Sequence, residues 1–313
     1  MENKFHNYKY IVFTIGIILL LLIAGCGTEE NGQDNATGGS EAEKNDYGKT
    51  IEYTITGIEP GAGVTATTLS AIEEYDNLKG WELNQSSTPA MMAQLDEAIQ
   101  KKEPIIVTGW NPHWMFAKYE GLKYLKDPQG AFGETEVIKT LVKKGLKEEK
   151  PNAYKILDQF EWKVEDMEGI MLEANESGKD IAEVAKQWVE DHPEITNKWT
   201  KGVEDVNGVK VELATTQWGS ELSATNAVAK VMTEKGFDVT ITPVDLAVMY
   251  KAVANGDVDA TVAVWMPVTT KKFYDKYEGD FVDLGPNLKG AKIGLVVPEY
   301  MEIDSIEDLK PVK

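Results

Sequence analysis

VKVELATTQW (residues 209–218) and ATVAVWMP (residues 260–267) are the stretches on which the fold turns. Each is a short aliphatic and β-branched run that closes on a tryptophan, the composition of a buried strand. Between them the pattern predicts a helix over Leu222–Lys235 stopped by Gly236, a strand over Val239–Thr242, and a helix over Ala247–Asn255 stopped by Gly256. The same grammar occurs earlier in the chain. A strand over Ile51–Gly57 meets the turn Glu59-Pro60-Gly61-Ala62-Gly63, which opens a helix reaching about Tyr75. A short strand over Trp81–Asn84, a helix with Met91, Met92, Leu95 and Ile99 on one face, and a buried strand over Pro104–Thr108 follow. Trp110-Asn111-Pro112 and Trp265-Met266-Pro267 then stand at equivalent points. Alternating strands and helices define an α/β protein, and the repeated grammar predicts two similar α/β lobes. Ligands of open α/β sheets bind outside the carboxyl ends of the strands, so two such ends facing each other make a cleft.

Outside these units the reading is coarser. The Lys/Glu-rich segment Ile138–Trp199 is predicted to be mainly helical, with Ile181, Val184, Ala185 and Trp188 at helical spacing and a break at His192-Pro193. A further strand is expected over Lys292–Val297. At the start, Lys4 and Lys9 precede an apolar run from Tyr10 to Ala24, short for a membrane span and suited to a signal peptide. It ends in Leu22-Ile23-Ala24-Gly25-Cys26, which resembles the lipobox of bacterial lipoproteins and implies a lipidated Cys26 as mature N-terminus. Residues 27–48, rich in Gly, Asn, Glu, Ser and Asp, read as a flexible tether. The expected organisation is therefore signal peptide 1–26, tether 27–48, first lobe 49–136, second lobe 137–300, and a tail 301–313 returning to the first lobe.

Charge narrows the function classes. The net charge is -20 and the chain contains no arginine, which argues against nucleic-acid binding. Without a guanidinium fork, any ligand carboxylate must be held by backbone N–H groups, lysines or hydroxyls. A single cysteine excludes an internal disulfide and any cysteine-cluster metal site.

Trp110, Trp218 and Trp265 each follow an apolar strand, where a turn residue is the usual choice. Indole faces gathered round one point make an aromatic cage, suited to a quaternary ammonium because that cation has no N–H to donate. Gly61-Ala62-Gly63-Val64 opens a helix directly after a strand, so its free N–H groups and the helix dipole favour an anion. No G-K-[ST] follows, so it is not a phosphate loop. Asp257 and Asp259 could suggest glycoside hydrolysis, yet a GDVDA turn entering a strand accounts for them as solvated turn residues. Glu59 and Glu221 flank the expected site without a defined role, and His113 reads as a structural hydrogen-bonding residue.

Longer motifs carry a resemblance. TITGIEPGAGV (54–64), EPIIVTGWNPHWMFAKY (103–119), LKYLKDP (122–128), KPNAYKILDQFEW (150–162), ELSATNAVAKVM (221–232), GDVDATVAVWMP (256–267) and KIGLVVPEYM (292–301) resemble the glycine betaine/proline betaine-binding lipoproteins of Gram-positive ABC importers. The resemblance implies a bilobed periplasmic-binding-protein fold with circularly permuted lobe order, no enzymatic activity and no cofactor or metal. It implies an ABC permease and its ATPase as partners, a lipid anchor, and a monomer. It places the cage on Trp110, Trp218 and Trp265 and the carboxylate-binding amides on Gly63 and Val64. The family's His, expected five residues after the third cage Trp, is replaced by Thr270, and an Asp often found after the second cage Trp is replaced by Gly219. A Thr270 hydroxyl can donate one neutral hydrogen bond where His would give a charge-assisted one. Proline betaine, carnitine, choline and dimethylsulfoniopropionate stand beside glycine betaine as ligands, and a sensing role without transport beside import.

Overall fold

The structure is a computed structural model that describes residues 46–313. A helical turn, α1 (Tyr47–Thr50), precedes β1 (Thr54–Gly57), α2 (Gly63–Glu74), β2 (Glu82–Gln85), α3 (Thr88–Lys101) and β3 (Val107–Asn111). β1 lies between β2 and β3, parallel to both. The first strand begins three residues later than its apolar alternation predicts. Glu52 and Tyr53 adopt left-handed φ values of 53°, and the Tyr53 ring packs edge-on against Trp81 at 5.6 Å.

After α4 (Trp114–Lys118) and β4 (Leu122–Tyr124) the chain enters β5 (Glu136–Lys143). This strand corrects the expectation of a mainly helical segment from Ile138. Ile138, Leu141 and Val142 point into the core, while Lys139 makes a 2.7 Å ion pair with Asp283. A helical block follows: α5 (Leu146–Glu149), α6 (Pro151–Gln159), α7 (Val164–Ser177), α8 (Ile181–Asp191) and α9 (Pro193–Trp199). Its interior is aromatic. Trp199, fully buried, meets Phe160 edge-on at 4.8 Å and donates its indole N–H to the Glu161 carbonyl at 2.9 Å. Trp162 and Trp188 pack beside it. Trp162 and Trp199 are core, and Trp188 is half-buried against them.

The second α/β unit comprises β6 (Val209–Thr215), α10 (Gly219–Glu234), β7 (Phe237–Pro243), α11 (Leu246–Asn255) and β8 (Ala260–Met266). β6 lies between β7 and β8, parallel to both, and α12 (Lys271–Tyr277) leads on to β9 (Phe281–Pro298). β9 is far longer than the Lys292–Val297 strand that its apolar run predicts. Its first half pairs antiparallel with β5, and its second half with β3 and β4. The strands thus run β2-β1-β3-β9-β5-β8-β6-β7 in one connected path, with β4 on the side of β9. Each end of the path is one parallel α/β unit, and β5 and β9 join them. The tail lies against the first unit: Trp81 donates its indole N–H to the Lys310 carbonyl at 2.8 Å, and Asn77 its amide to the Ile306 carbonyl at 2.6 Å.

The Asp257/Asp259 reading divides. Asp257 is exposed, but Asp259 is buried and paired with Lys150 at 2.6 Å and Lys143 at 3.2 Å. It is a structural ion pair at the foot of β8, not a solvated turn residue.

Candidate functional site

Gly63, Val64, Trp110, Trp218, Trp265 and Thr270 line one cavity, together with Glu221. Cys26 lies outside the described residues. Trp110 and Trp265 are the penultimate residues of β3 and β8, so β3 runs past Thr108, the end that its apolar run predicts. In each case the strand ends one residue before a proline, Pro112 or Pro267, which has no N–H to extend a ladder. Trp218 stands just outside α10 as its N-cap residue. Trp110 and Trp265 are buried and Trp218 is half-buried.

Two of the three indoles are held by a carboxylate. Trp265 donates its indole N–H to Glu221 at 2.7 Å, and Ser220 donates its hydroxyl to the same carboxylate at 2.6 Å. Burial pushes the Glu221 carboxyl up to about 7, against the pull of the bonds from Ser220, its own amide and Trp265. Trp218 donates its indole N–H to Glu59 at 3.5 Å, and Glu59 also accepts from the Thr88 amide and hydroxyl at 2.8 and 2.9 Å. Burial works to raise the Glu59 pKa, but these bonds outweigh it and hold the group below its ordinary value.

The two Trp-x-Pro loops have their own carboxylates, and neither was legible in the sequence. Glu136, fully buried at the start of β5, accepts from the Val268 and Thr269 amides at 2.8 Å each and from the Thr269 hydroxyl. Glu168 on α7 accepts from the Asn111 amide at 2.6 Å and the His113 amide at 3.4 Å, and burial raises its pKa. The contacts are separated by 132 and 57 residues, so no local pattern signals them.

The start of α2 forms the remaining wall. Among the described residues, its N-terminus has no side-chain cap, so the first N–H groups are not consumed by the helix's own sequence. A Cβ at Gly63 would overlap the side chain and carbonyl of Thr269, so only glycine lets this helix approach the Trp265 loop so closely. Thr270 is buried, and its hydroxyl is engaged twice. It donates to the Trp265 carbonyl at 2.6 Å and shares a 2.6 Å hydrogen bond with the Tyr250 hydroxyl. A hydroxyl has one hydrogen, so in this arrangement Thr270 braces the cavity wall and has no proton left for a ligand.

His113 accepts from the Met115 amide at 3.2 Å and caps α4, while its ring lies 4.5 Å from Trp110 and 5.2 Å from Trp114. Burial lowers its pKa to about 3, so it is neutral at physiological pH. A second, larger and more polar pocket adjoins the cavity through Ala62, Trp110, Trp218 and Leu246. Thr216 lines it with a buried hydroxyl that has no hydrogen-bond partner among the described residues. Among those residues there is also no cluster of His, Cys, Asp or Glu able to hold a metal, and no helix long and apolar enough to cross a membrane.

An α/β architecture of two parallel units, with aromatic side chains and a helix N-terminus around one cavity, suits the capture of a small solute, and the family match makes the chain an extracytoplasmic substrate-binding protein of an ABC importer. The chain belongs to the family described as the substrate-binding domain of the ABC-type glycine betaine transport system, matched over residues 40–191 and 209–313. It is 46% identical over 310 residues to the glycine betaine/carnitine transport binding protein GbuC of Listeria monocytogenes, covering 97% of this chain and 99% of that protein. Lactococcal OpuAC, solved closed with glycine betaine, is 49% identical over 51% of this chain and 61% of its own, with a TM-score of 0.46. The glycine betaine/L-proline-binding protein ProX of Borrelia burgdorferi is 33% identical over 51% of this chain and 60% of its own, with a TM-score of 0.47. The chain thus spans about three-fifths of each of these two solved chains.

Proposed function

We propose that the protein captures glycine betaine and hands it to an ABC permease. The observation that carries this reading is the convergence of three indoles and one uncapped helix N-terminus on a single cavity. The trimethylammonium head sits among Trp110, Trp218 and Trp265, where each ring contributes about 0.5–2 kcal/mol. The carboxylate takes the Gly63 and Val64 amides, favoured by the helix dipole. Thr270 contributes shape rather than a donor, since its hydroxyl is committed to Trp265 and Tyr250. The two α/β units hinge shut on the ligand, with β5 and β9 between them. A lipid on Cys26 holds the monomer at the outer face of the cell membrane, the tether 27–48 gives it reach, and the ATPase of the importer supplies the energy.

A calorimetric panel of glycine betaine, carnitine, proline betaine and choline on the folded region from Asp46 tests the ligand. Glycine betaine is expected to bind, and Trp265→Ala to weaken it by about 2 kcal/mol or more. No heat and no change in tryptophan fluorescence with any betaine at millimolar concentration would sink the reading. One observation favours a second ligand. The adjoining chamber and the unpaired Thr216 hydroxyl offer room and a polar contact for a longer betaine bearing a hydroxyl, such as carnitine, which the name of the Listeria relative includes. Thr216→Val would then weaken carnitine and leave glycine betaine unchanged.

A further inference from the structure

Glu221 has no function in the cage as described above, yet its placement is unusual. It lies in the first turn of α10, lines the cavity, and is only 6% exposed. Its two carboxylate oxygens accept from Trp265 and Ser220. Both partners are neutral, and among the described residues it forms no ion pair. A buried carboxylate without a cation is costly in its charged form unless a positive charge arrives.

Resting on the betaine reading, we infer that Glu221 is the counter-charge of the site: a specificity-determining residue that orients Trp265 and selects ligands bearing a positive charge. It acts in two ways. Its ionised oxygen draws on the indole N–H, which fixes the ring and enriches the ring face presented to a cation. It also supplies the negative charge against which an ammonium head is favoured and a neutral head of the same shape is not.

A consequence is linkage to pH. Without a bound cation, burial in this arrangement holds the Glu221 carboxyl at about 7, so much of it is protonated at and below neutrality. A bound cation favours the ionised form and lowers that pKa. The complex therefore carries fewer protons than the free protein, and affinity rises with pH up to about 7 and levels above it.

Other titratable groups surround the site, and comparison with Glu221→Gln separates them from Glu221. Of the other titratable groups lining the cavity and chamber, Glu59 is held below its ordinary value and His113 is neutral, while Asp245 sits at the start of α11. On the elements packed against α10, Glu168 of α7 bonds to Asn111, Glu190 of α8 pairs with Lys230, the ring of His192 at the end of α8 stacks on Trp188, and α6 carries Lys155 and Asp158. β6 and β7 bring Glu212 and Asp238, both exposed, and β8 carries no charged residue. Burial also keeps the nearby Tyr250 hydroxyl protonated.

The test compares the wild type with Glu221→Gln and Ser220→Ala by calorimetry between pH 5 and 8, in buffers of different ionisation enthalpy. The probes are glycine betaine and its uncharged-head carbon analogue 3,3-dimethylbutanoate. For the wild type, affinity for glycine betaine is expected to rise by roughly tenfold or more from pH 5 to 7, with proton release on binding. Glu221→Gln keeps an acceptor for the Trp265 N–H, so its affinity should become pH-independent and its preference for glycine betaine over the analogue should fall at least tenfold. Ser220→Ala removes one donor to the carboxylate and should move the midpoint of the profile to higher pH. A wild type that binds glycine betaine with no proton release and no pH dependence would overturn the inference while leaving the betaine reading intact. So would a Glu221→Gln profile that matches the wild type. If Glu221→Gln does not fold, the Ser220→Ala shift and the proton count decide alone. A wild type that binds no betaine at any pH would overturn both.

Discussion

Gly63→Ala adds one methyl group at the point where α2 meets the Trp265 loop. Alanine is the better helix former, by up to about 1 kcal/mol in a helix interior, and Gly63 is not among the residues with positive φ. On local grounds the change should be neutral or stabilising. The added Cβ, however, would meet the Thr269 carbonyl and side chain, and the carbonyl belongs to a loop that Glu136 pins through the Val268 and Thr269 amides. Overpacking of this kind costs about 1–3 kcal/mol. Because α2 and the Thr269 loop come from different α/β units, the cost falls on their approach and not on the folding of either. A penalty of about 2 kcal/mol on the closed form lowers ligand affinity roughly thirtyfold. Calorimetry with glycine betaine measures that loss, and thermal unfolding of the free protein should show little change. Gly61→Ala is the control. Its φ is +93° and no atom lies near the added Cβ, so it should reduce folding stability by about 1–2 kcal/mol. The reasoning is refuted if Gly63→Ala folds normally and binds within a factor of two of the wild type.

Glu136→Gln exchanges an oxygen for an NH2 group facing three donors, the Val268 amide and the Thr269 amide and hydroxyl, and should cost about 1–3 kcal/mol in urea unfolding. Asp259→Ala strands Lys150 beside β8, while Lys143 keeps its 2.7 Å ion pair with Glu149, and should destabilise by about 3 kcal/mol, read in the same assay. Burial works to raise the Asp259 pKa, but bonds from Lys150 and the Glu212 amide hold it below its ordinary value. Its contribution is therefore present above about pH 4, the range of an unfolded Asp, and is lost as the pH falls through the folded value. Stability curves of wild type and Asp259→Ala should accordingly converge in acid, and parallel curves would contradict this.

The elements most legible in the sequence were those with unbroken apolar runs. β8 announces itself because residues 260–265 are buried on both faces, and β6 because Val211 and Leu213 alternate with Lys210 and Glu212 before a buried Ala214. β5 hid because Lys139 and Lys143 lend it the composition of the helices that follow, although its inward residues alternate. The first half of β9 hid because Gly285, Pro286 and Gly290 read as turns, whereas β5 accommodates them through register shifts. At the site, aromatic residues were findable because a tryptophan at a strand end is conspicuous. The carboxylates holding them were not, since the chemistry of Glu221, Glu136 and Glu168 rests on partners 44, 132 and 57 residues away. Thr270 shows the opposite limit. Its residue type suggested a ligand donor, and only the positions of Tyr250 and the Trp265 carbonyl reveal where its hydrogen goes.

β9 serves both ends of the sheet path, pairing with β5 through its first half and with β3 and β4 through its second. During synthesis, β3 waits with one edge open until residues 292–296 have been made. Neither α/β unit can complete its sheet before the chain is almost finished. Folding is consequently late and all at once: a nascent or truncated chain exposes a sticky strand edge, and the surest way to aggregate this protein is to stop it short of Pro298.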